Sequence, residues 1–291
     1  MPSRLTVTKT YKLYIGGDFP RSESGRSLPV HDLDERVVAH IAHASRKDLR
    51  NAVVAARKAV PGWMARTGYN RGQIIYRMAE MLEGKADEFI TALMLPGTHT
   101  KREARAEVEA TVDRLVAFAG WTDKFSQVLG CHNPVAGPYY NFTVPEATGL
   151  VAAVAPDEPG LLALVSLIAP PLAAGNAIVA VSGNHHPIAA SILGEVLATS
   201  DLPAGVVNIL TGNRAELLPW ISEHRDIDAV HAADLPDDEA LTLRRGMSEN
   251  IKRVRVREVG EDGWFDADLC TSPWWIEPFI EMKTIWHPAA T

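Results

Sequence analysis

Two residues toward the C-terminal end of this 291-residue chain are of the types that nucleophilic catalysis uses. The stretch REVGEDGWFDADLCTSPWW, Arg257 to Trp275, ends a basic, β-branched run at Glu258 and places Cys270 further on, past a glycine turn. A glutamate can act as general base and a thiolate as nucleophile. A reactive thiolate needs an electropositive, partly exposed niche. Asp262, Asp266 and Asp268 stand just before Cys270, and their charge would raise a thiol pKa. No glycine-rich oxyanion segment surrounds it, and Arg255 and Arg257 offer Glu258 ordinary salt bridges. Catalysis by Glu258 and Cys270 is therefore the alternative reading. His185-His186 form a second chemical candidate. Adjacent residues rarely share one metal geometry, and no Cys/His cluster accompanies them in sequence. They are expected to be solvated loop histidines, with no metal.

The elements that must position these residues follow from periodicity. Residues 11–43 read as short strands and turns, with a hairpin signal at Gly16-Gly17. Leu49, Val53, Ala56 and Val60 fall on one helical face. Ile74, Ile75, Met78, Met81 and Leu82 do the same after a break at Pro61-Gly62. A third helix runs from Lys101 to about Trp121, with Ala106, Glu109, Val112, Val116 and Ala119 giving mixed faces. Residues 131–152 are β-rich and broken by Pro134, Pro138 and Pro145, which suggest edge positions. From Gly149 short apolar strands alternate with helices. The strands are Gly149–Ala155, Ala177–Ser182, Val206–Leu210, Ile227–His231 and Val254–Val259, with helical segments at 160–174, 187–200, 214–223 and 237–249. That alternation predicts a doubly wound α/β fold on a parallel sheet.

Beyond Gly260 the pattern stops. Asp262 to Asp268 reads as a polar linker. The tail CTSPWWIEPFIEMKTIWHPAAT holds three of the seven tryptophans. Its strand alternates Phe279, Glu281, Lys283 and Ile285 with Ile280, Met282, Thr284 and Trp286.

Bulk properties exclude several classes. A net charge of −7 argues against a nucleic-acid partner. The longest apolar segment, Gly160 to Gly175, is short of the roughly 18 residues a membrane span needs, and Pro170 and Pro171 interrupt it. Two distant cysteines, Cys131 and Cys270, make no disulfide framework. With no secretory signal at the start, a cytoplasmic location is expected.

Three stretches now resemble one family: LIAPPLAAGNAIVAV (167–181), SDLPAGVVNILTG (200–212) and AFAGWTDKF (117–125). Together with the tail EMKTIWHP they are similar to the aldehyde dehydrogenase superfamily. NPVAGPYYNFTVPEATG resembles most the degenerate, truncated second half of its two-domain members. The resemblance implies a Rossmann-like domain, a β oligomerisation module from two distant strands, and a catalytic domain inserted between them. Here Gly260 to Thr271 leaves no room for a domain, which needs about 50 residues or more.

The resemblance also implies positions for chemistry, and these depart from the family. Where A-P-W-N-F-P presents an oxyanion-binding asparagine, this chain has Glu158, which cannot donate when ionised. Where K-P-S-E holds the adenine ribose, it has Val181, Ser182, Gly183 and Asn184. Where F-T-G-S receives the pyrophosphate at a helix N-terminus, it has Asp234 near the glycine position. Glu258 keeps the place of the family's water-activating base. By contrast the frame residues Gly149, Pro170, Gly175, Asn176, Pro203, Gly205, Asn208 and Gly212 match.

The expectation is thus an aldehyde dehydrogenase-like α/β fold without a catalytic domain. Residues 1–130 form an N-terminal helical part and 131–152 the oligomerisation strands. Residues 153–260 form the Rossmann-like part, and 261–291 a linker and C-terminal strand. The expected role is a non-catalytic subunit with no bound cofactor, joined to a full-length aldehyde dehydrogenase that carries NAD(P). Oligomerisation would use Tyr139, Tyr140, Phe142, Trp274, Trp275, Phe279, Ile285 and Trp286, with self-association as the competing outcome. The alternatives are an oxidoreductase or a small-molecule binder acting alone.

Overall fold

The computed structural model describes residues 7–289. Short strands β1 (Thr10–Tyr11), β2 (Ser27–His31) and β3 (Val37–Ala42) form a small sheet in the order β1-β3-β2. Ile15 bridges Asp18 around Gly16 and Gly17, both with positive φ, so the expected turn is present. Four helices follow: α1 (Arg46–Met64), α2 (Gly68–Gly84), α3 (Ala86–Met94) and α4 (Lys101–Trp121). Ser45 with Asp48, and Thr100 with Glu103, form capping boxes that start α1 and α4.

Next come α5 (Phe125–Leu129), β4 (Cys131–Asn133) and β5 (Tyr139–Ala147). The α/β alternation then runs β6 (Leu150–Val154), α6 (Leu162–Ala174), β7 (Ala177–Val181), α7 (Pro187–Thr199) and β8 (Val207–Leu210). It continues with α8 (Arg214–Glu223), β9 (Ala229–Ala233), α9 (Asp237–Arg245), α10 (Met247–Asn250) and β10 (Arg253–Arg257). A short helix, α11 (Ala267–Cys270), precedes β11 (Ile280–Pro288).

The five central strands are parallel, in the order β10-β9-β6-β7-β8. Each of β6, β7, β8 and β9 is buried along its whole length, which is why they read as continuous apolar runs. Alternate residues feed two cores. Leu150, Ala152 and Val154 pack with α1, α8 and α9, while Val151 and Ala153 pack with α6 and α7, backed by α2, α3 and α4. The doubly wound α/β prediction is therefore met. Asn176 shows what one of the frame residues does: its side chain accepts from Gly149 N and donates to the carbonyls of Pro171 and Phe279. Gly149 itself has φ +136°, which a side chain would strain.

Several local expectations are corrected. The helix α1 runs through Pro61-Gly62 and ends at Met64. Pro61 sits late enough that its missing donor costs one hydrogen bond only. The buried face of α4 is Ala104, Glu107, Val108, Thr111, Arg114, Leu115 and Phe118. A charge count on that helix hides the face, because Glu107 and Arg114 point inward. The stretch Asp262 to Asp268 is not a polar linker. Asp262–Phe265 forms a 3-10 turn with Trp264 buried, and Trp264, Cys270, Trp275, Ile276 and Phe279 join the larger core.

A separate antiparallel sheet, β11-β5-β4, projects from this body. Its nine-residue pairing runs from Ile280 opposite Ala147 to Pro288 opposite Tyr139. Of the expected oligomerisation residues, Tyr139, Tyr140, Trp274 and Trp286 are exposed and Phe142 and Ile285 half-buried. Trp275 and Phe279 are a correction: both are buried within their own chain, where they face His231. No helix among the described residues is long and apolar enough to cross a membrane.

Candidate functional site

A doubly wound sheet binds ligands in the crevice at the carboxyl ends of its strands. Here the loops after β6, β7 and β9 and the start of α8 meet at that edge. Their side chains bind one another. Asp157 Oδ1 accepts from Asn184 N at 2.7 Å, from Asn184 Nδ2 at 3.1 Å and from Arg214 Nη1 at 2.8 Å. The same Arg214 nitrogen donates to Ala155 O, and Arg214 Nε donates to Glu239 Oε2 at 2.7 Å. The guanidinium thus reaches from α8 to the end of β6 and the start of α9. Sequence reasoning missed Arg214. Its signal was two acidic partners far along the chain, which no local pattern reveals.

Each sequence-predicted position has a structural partner there. Val181 is buried in β7. Asn184 is held by Asp157 and accepts from Arg214 N through Oδ1. Asp234 has φ +47°, a conformation that Asp tolerates better than most residues. Its carboxylate accepts from Val259 N at 2.8 Å, Gly260 N and Trp264 Nε1 at 2.9 Å. It fastens the exit of β10 to the buried turn behind it. Asp237, Asp238 and Glu239 supply the negative charge that the N-terminus of α9 favours. Acidic groups crowd this edge, a charge that disfavours phosphates, and Arg214 is already committed to Asp157 and Glu239.

Glu258 and Cys270 are not assembled into a base and nucleophile. Glu258 is exposed. Arg257 does not serve it. Instead it stacks on Trp275 at 4.0 Å, donates from Nε to His231 Nε2 at 2.9 Å, and donates to Trp274 O. His231 Nδ1 contacts Leu167 O, so the buried ring is a neutral donor at Nδ1 and acceptor at Nε2. Burial, with Arg257 nearby, pushes its pKa well below the usual value. Cys270 is fully buried, with Sγ 3.3 Å from Gly263 O. Burial raises its pKa, although Arg114 pulls the other way. Asp266 adds to the rise, as its sequence position predicted, but desolvation is the larger cause.

A second constellation lies beside the crevice, and it corrects the histidine expectation. His186 is buried, not solvated. Its Nε2 lies 2.9 Å from Glu158 Oε1, and His185 Nδ1 lies 3.2 Å from the same oxygen. Gly160 permits this, since a Cβ there would come within 2.5 Å of His186 Cβ. Glu107 comes from α4, with Oε1 accepting from Leu161 N at 2.7 Å and Leu162 N at 3.1 Å. It caps α6, which lacks a side-chain cap of its own. Burial pushes the Glu107 carboxyl up despite those amide hydrogen bonds. Burial acts the same way on Glu158, but hydrogen bonding and charge from His186, then His185 and His99, outweigh it and lower its pKa.

Residues 20–234 match the aldehyde dehydrogenase family model. A mitochondrial benzaldehyde dehydrogenase of Antirrhinum majus is 29% identical over 279 residues, covering 92% of this chain and 51% of that protein. Retinal dehydrogenase 2 of Gallus gallus is 30% identical over 271 residues, covering 90% and 51%. An aldehyde dehydrogenase from Bacillus cereus, solved as an NAD+ complex, superposes with a TM-score of 0.80 at 27% identity, covering 86% and 51%. The chain spans about half the length of the curated relatives it matches. With the family model matched over residues 20–234 of the 291, this chain belongs to the aldehyde dehydrogenase family.

Proposed function

We propose that this chain is a non-catalytic subunit that docks on a full-length aldehyde dehydrogenase, with NAD(P) held by the partner. One observation carries the reading. Between the end of β10 at Arg257 and the start of β11 at Ile280, the intervening residues form packing turns around Trp264, Cys270 and Trp275. The β11-β5-β4 sheet therefore projects with exposed residues on both faces and a free edge along β11. A free edge of nine residues is a template for pairing with another chain. Tyr139 and Trp286, whose rings meet at 5.8 Å, give it an aromatic anchor of the kind that dominates interfaces. The self-bound crevice supports the absence of a cofactor in this chain. A free, exposed Cys131 suits a reducing cytoplasm.

Co-expression with a full-length aldehyde dehydrogenase from the same source tests the reading. The two chains should co-purify, and NAD(P)-dependent aldehyde oxidation should belong to the partner and the complex. Aldehyde oxidation by this chain alone, or failure of the two to associate, would sink the proposal.

A further inference from the structure

Four segments converge on a small volume next to the crevice. His99 comes from the loop before α4, Glu107 from α4, Glu158 from the β6–α6 loop, and His186 from the residue before α7. Ligand atoms of His99, Glu158 and His186 lie within 4.8 Å of one another. His99 Nε2 stands 3.5 Å from Glu107 Oε2 and 3.9 Å from Glu158 Oε2. The rings of His99 and His186 meet edge to face at 4.7 Å.

The hydrogen bonding here does not close. Glu107 Oε2 and Glu158 Oε2 are both buried without a partner. Glu107 is itself only 1% exposed. Both distances to His99 exceed the range of a hydrogen bond. His99 Nε2 can carry one proton at most, so it could satisfy only one of the two oxygens. Bare buried carboxylate oxygens are costly. The arrangement lacks a centre of positive charge between these atoms, not another donor.

We propose that His99, Glu158 and His186 bind one first-row divalent metal ion, Zn2+ foremost, with the Glu107 carboxylate beside His99. Two imidazole nitrogens and one carboxylate make a three-ligand set that zinc accepts with its fourth position open. In a tetrahedral site with bonds of about 2.0–2.1 Å, ligand atoms stand about 3.4 Å apart. His186 Nε2 stands 2.9 Å from Glu158 Oε1 and His99 Nε2 3.9 Å from Glu158 Oε2, on either side of that value. The nitrogen donors disfavour Mg2+ and Ca2+, and the lack of sulfur disfavours Cu(I). Thr98 Oγ1, 3.1 Å from His99 Nδ1, is an outer contact that suits a ligand, whereas the buried His186 Nδ1 has no partner. A cavity of about 350 Å³, bordered by His99, Glu107 and Glu158, provides the entry path. The ion clamps the helical layer to the loops at the sheet's carboxyl edge. This site does not depend on the subunit reading.

The test uses the full chain, free of any affinity tag and stripped by chelator. Zn2+ alone should bind with one equivalent and raise the melting temperature by several degrees. Co2+ should give the visible absorption of a tetrahedral centre, and Zn2+ should abolish it. His99→Ala should weaken zinc binding at least a hundredfold, whereas His185→Ala should keep the stoichiometry. Absence of zinc uptake and of cobalt absorption in the unsubstituted chain would overturn the site, whatever the variants do. So would unchanged zinc affinity in a folded His99→Ala chain, or loss of binding in His185→Ala.

Discussion

Arg214 Nη1 lies 2.8 Å from Asp157 Oδ1, with only 2% of the arginine side chain exposed. The same guanidinium meets Glu239 at 2.7 Å. One buried cation therefore holds two acids across the crevice at the carboxyl edge of the sheet. The closure is electrostatic and belongs to the chain's own residues.

The energetic consequence can be measured. Arg214→Met would leave Glu239, 12% exposed, and Asp157, 31% exposed, without their counter-ion. Removing one member of a buried pair costs more than the pair contributes, typically about 3–5 kcal/mol. The partial exposure of Asp157 lowers the expected loss to about 2–4 kcal/mol in urea unfolding. A loss under about 1 kcal/mol would show that solvent already screens the network.

The proposal that this chain binds no cofactor is tested at the same network. Titration with NAD or NADP, followed by tryptophan fluorescence, should give no saturable change. Trp264 and Trp275 lie behind the loop that Asp234 fastens, so a bound dinucleotide would disturb them. A saturable quench at micromolar cofactor would refute the closed crevice.

Most of the fold was legible in the sequence because its strands are buried on both faces. Four strands such as Ala177–Val181 show that pattern without help from any partner. The site was less legible. Glu107, Arg114 and Arg214 look like surface charges in their helical windows, yet each is buried by a partner more than twenty residues away. His186 could not be paired with His99, since 87 positions separate them. The tail misled for a related reason. Trp274 and Trp275 are neighbours, but one faces solvent and the other fills the core under Arg257.

That division of the tryptophans is itself testable. Trp275→Ala should cost about 3–5 kcal/mol of stability, as large buried aromatics do. Trp286→Ala, at an exposed position, should change stability by less than about 0.5 kcal/mol. It should instead weaken association with the partner about thirtyfold, the scale of a hot-spot residue. Equal effects of both substitutions on stability alone would remove the sheet from the interface.

The two cysteines should also separate. An alkylating reagent should label exposed Cys131 in the native chain and reach Cys270 only after unfolding. Cys270→Ala should leave turnover of the complex unchanged. Loss of turnover would revive the pairing of Glu258 with Cys270.

Lys252 provides the clearest pH signature. Its ammonium is buried and donates to Ile221 O at 2.6 Å and His224 O at 2.9 Å. Burial lowers its pKa to about 8, from 10.5, although Asp228 pulls upward. Between those values the folded chain has shed the proton and the unfolded chain still holds it. The unfolded state then binds more protons, so stability rises with pH across that window. Below about pH 8 both states are charged and this contribution is lost. Lys252→Met removes the titration while keeping the length of the side chain. The difference in stability between parent and variant should therefore shift toward the parent by about 1–2 kcal/mol from pH 7 to 10.5, with allowance for solvent screening. Tyr11 and Tyr14, whose pKa values burial raises, titrate alike in both proteins and cancel. A difference that stays flat across the window would mean that Lys252 keeps its proton in the folded chain, held by the two carbonyls.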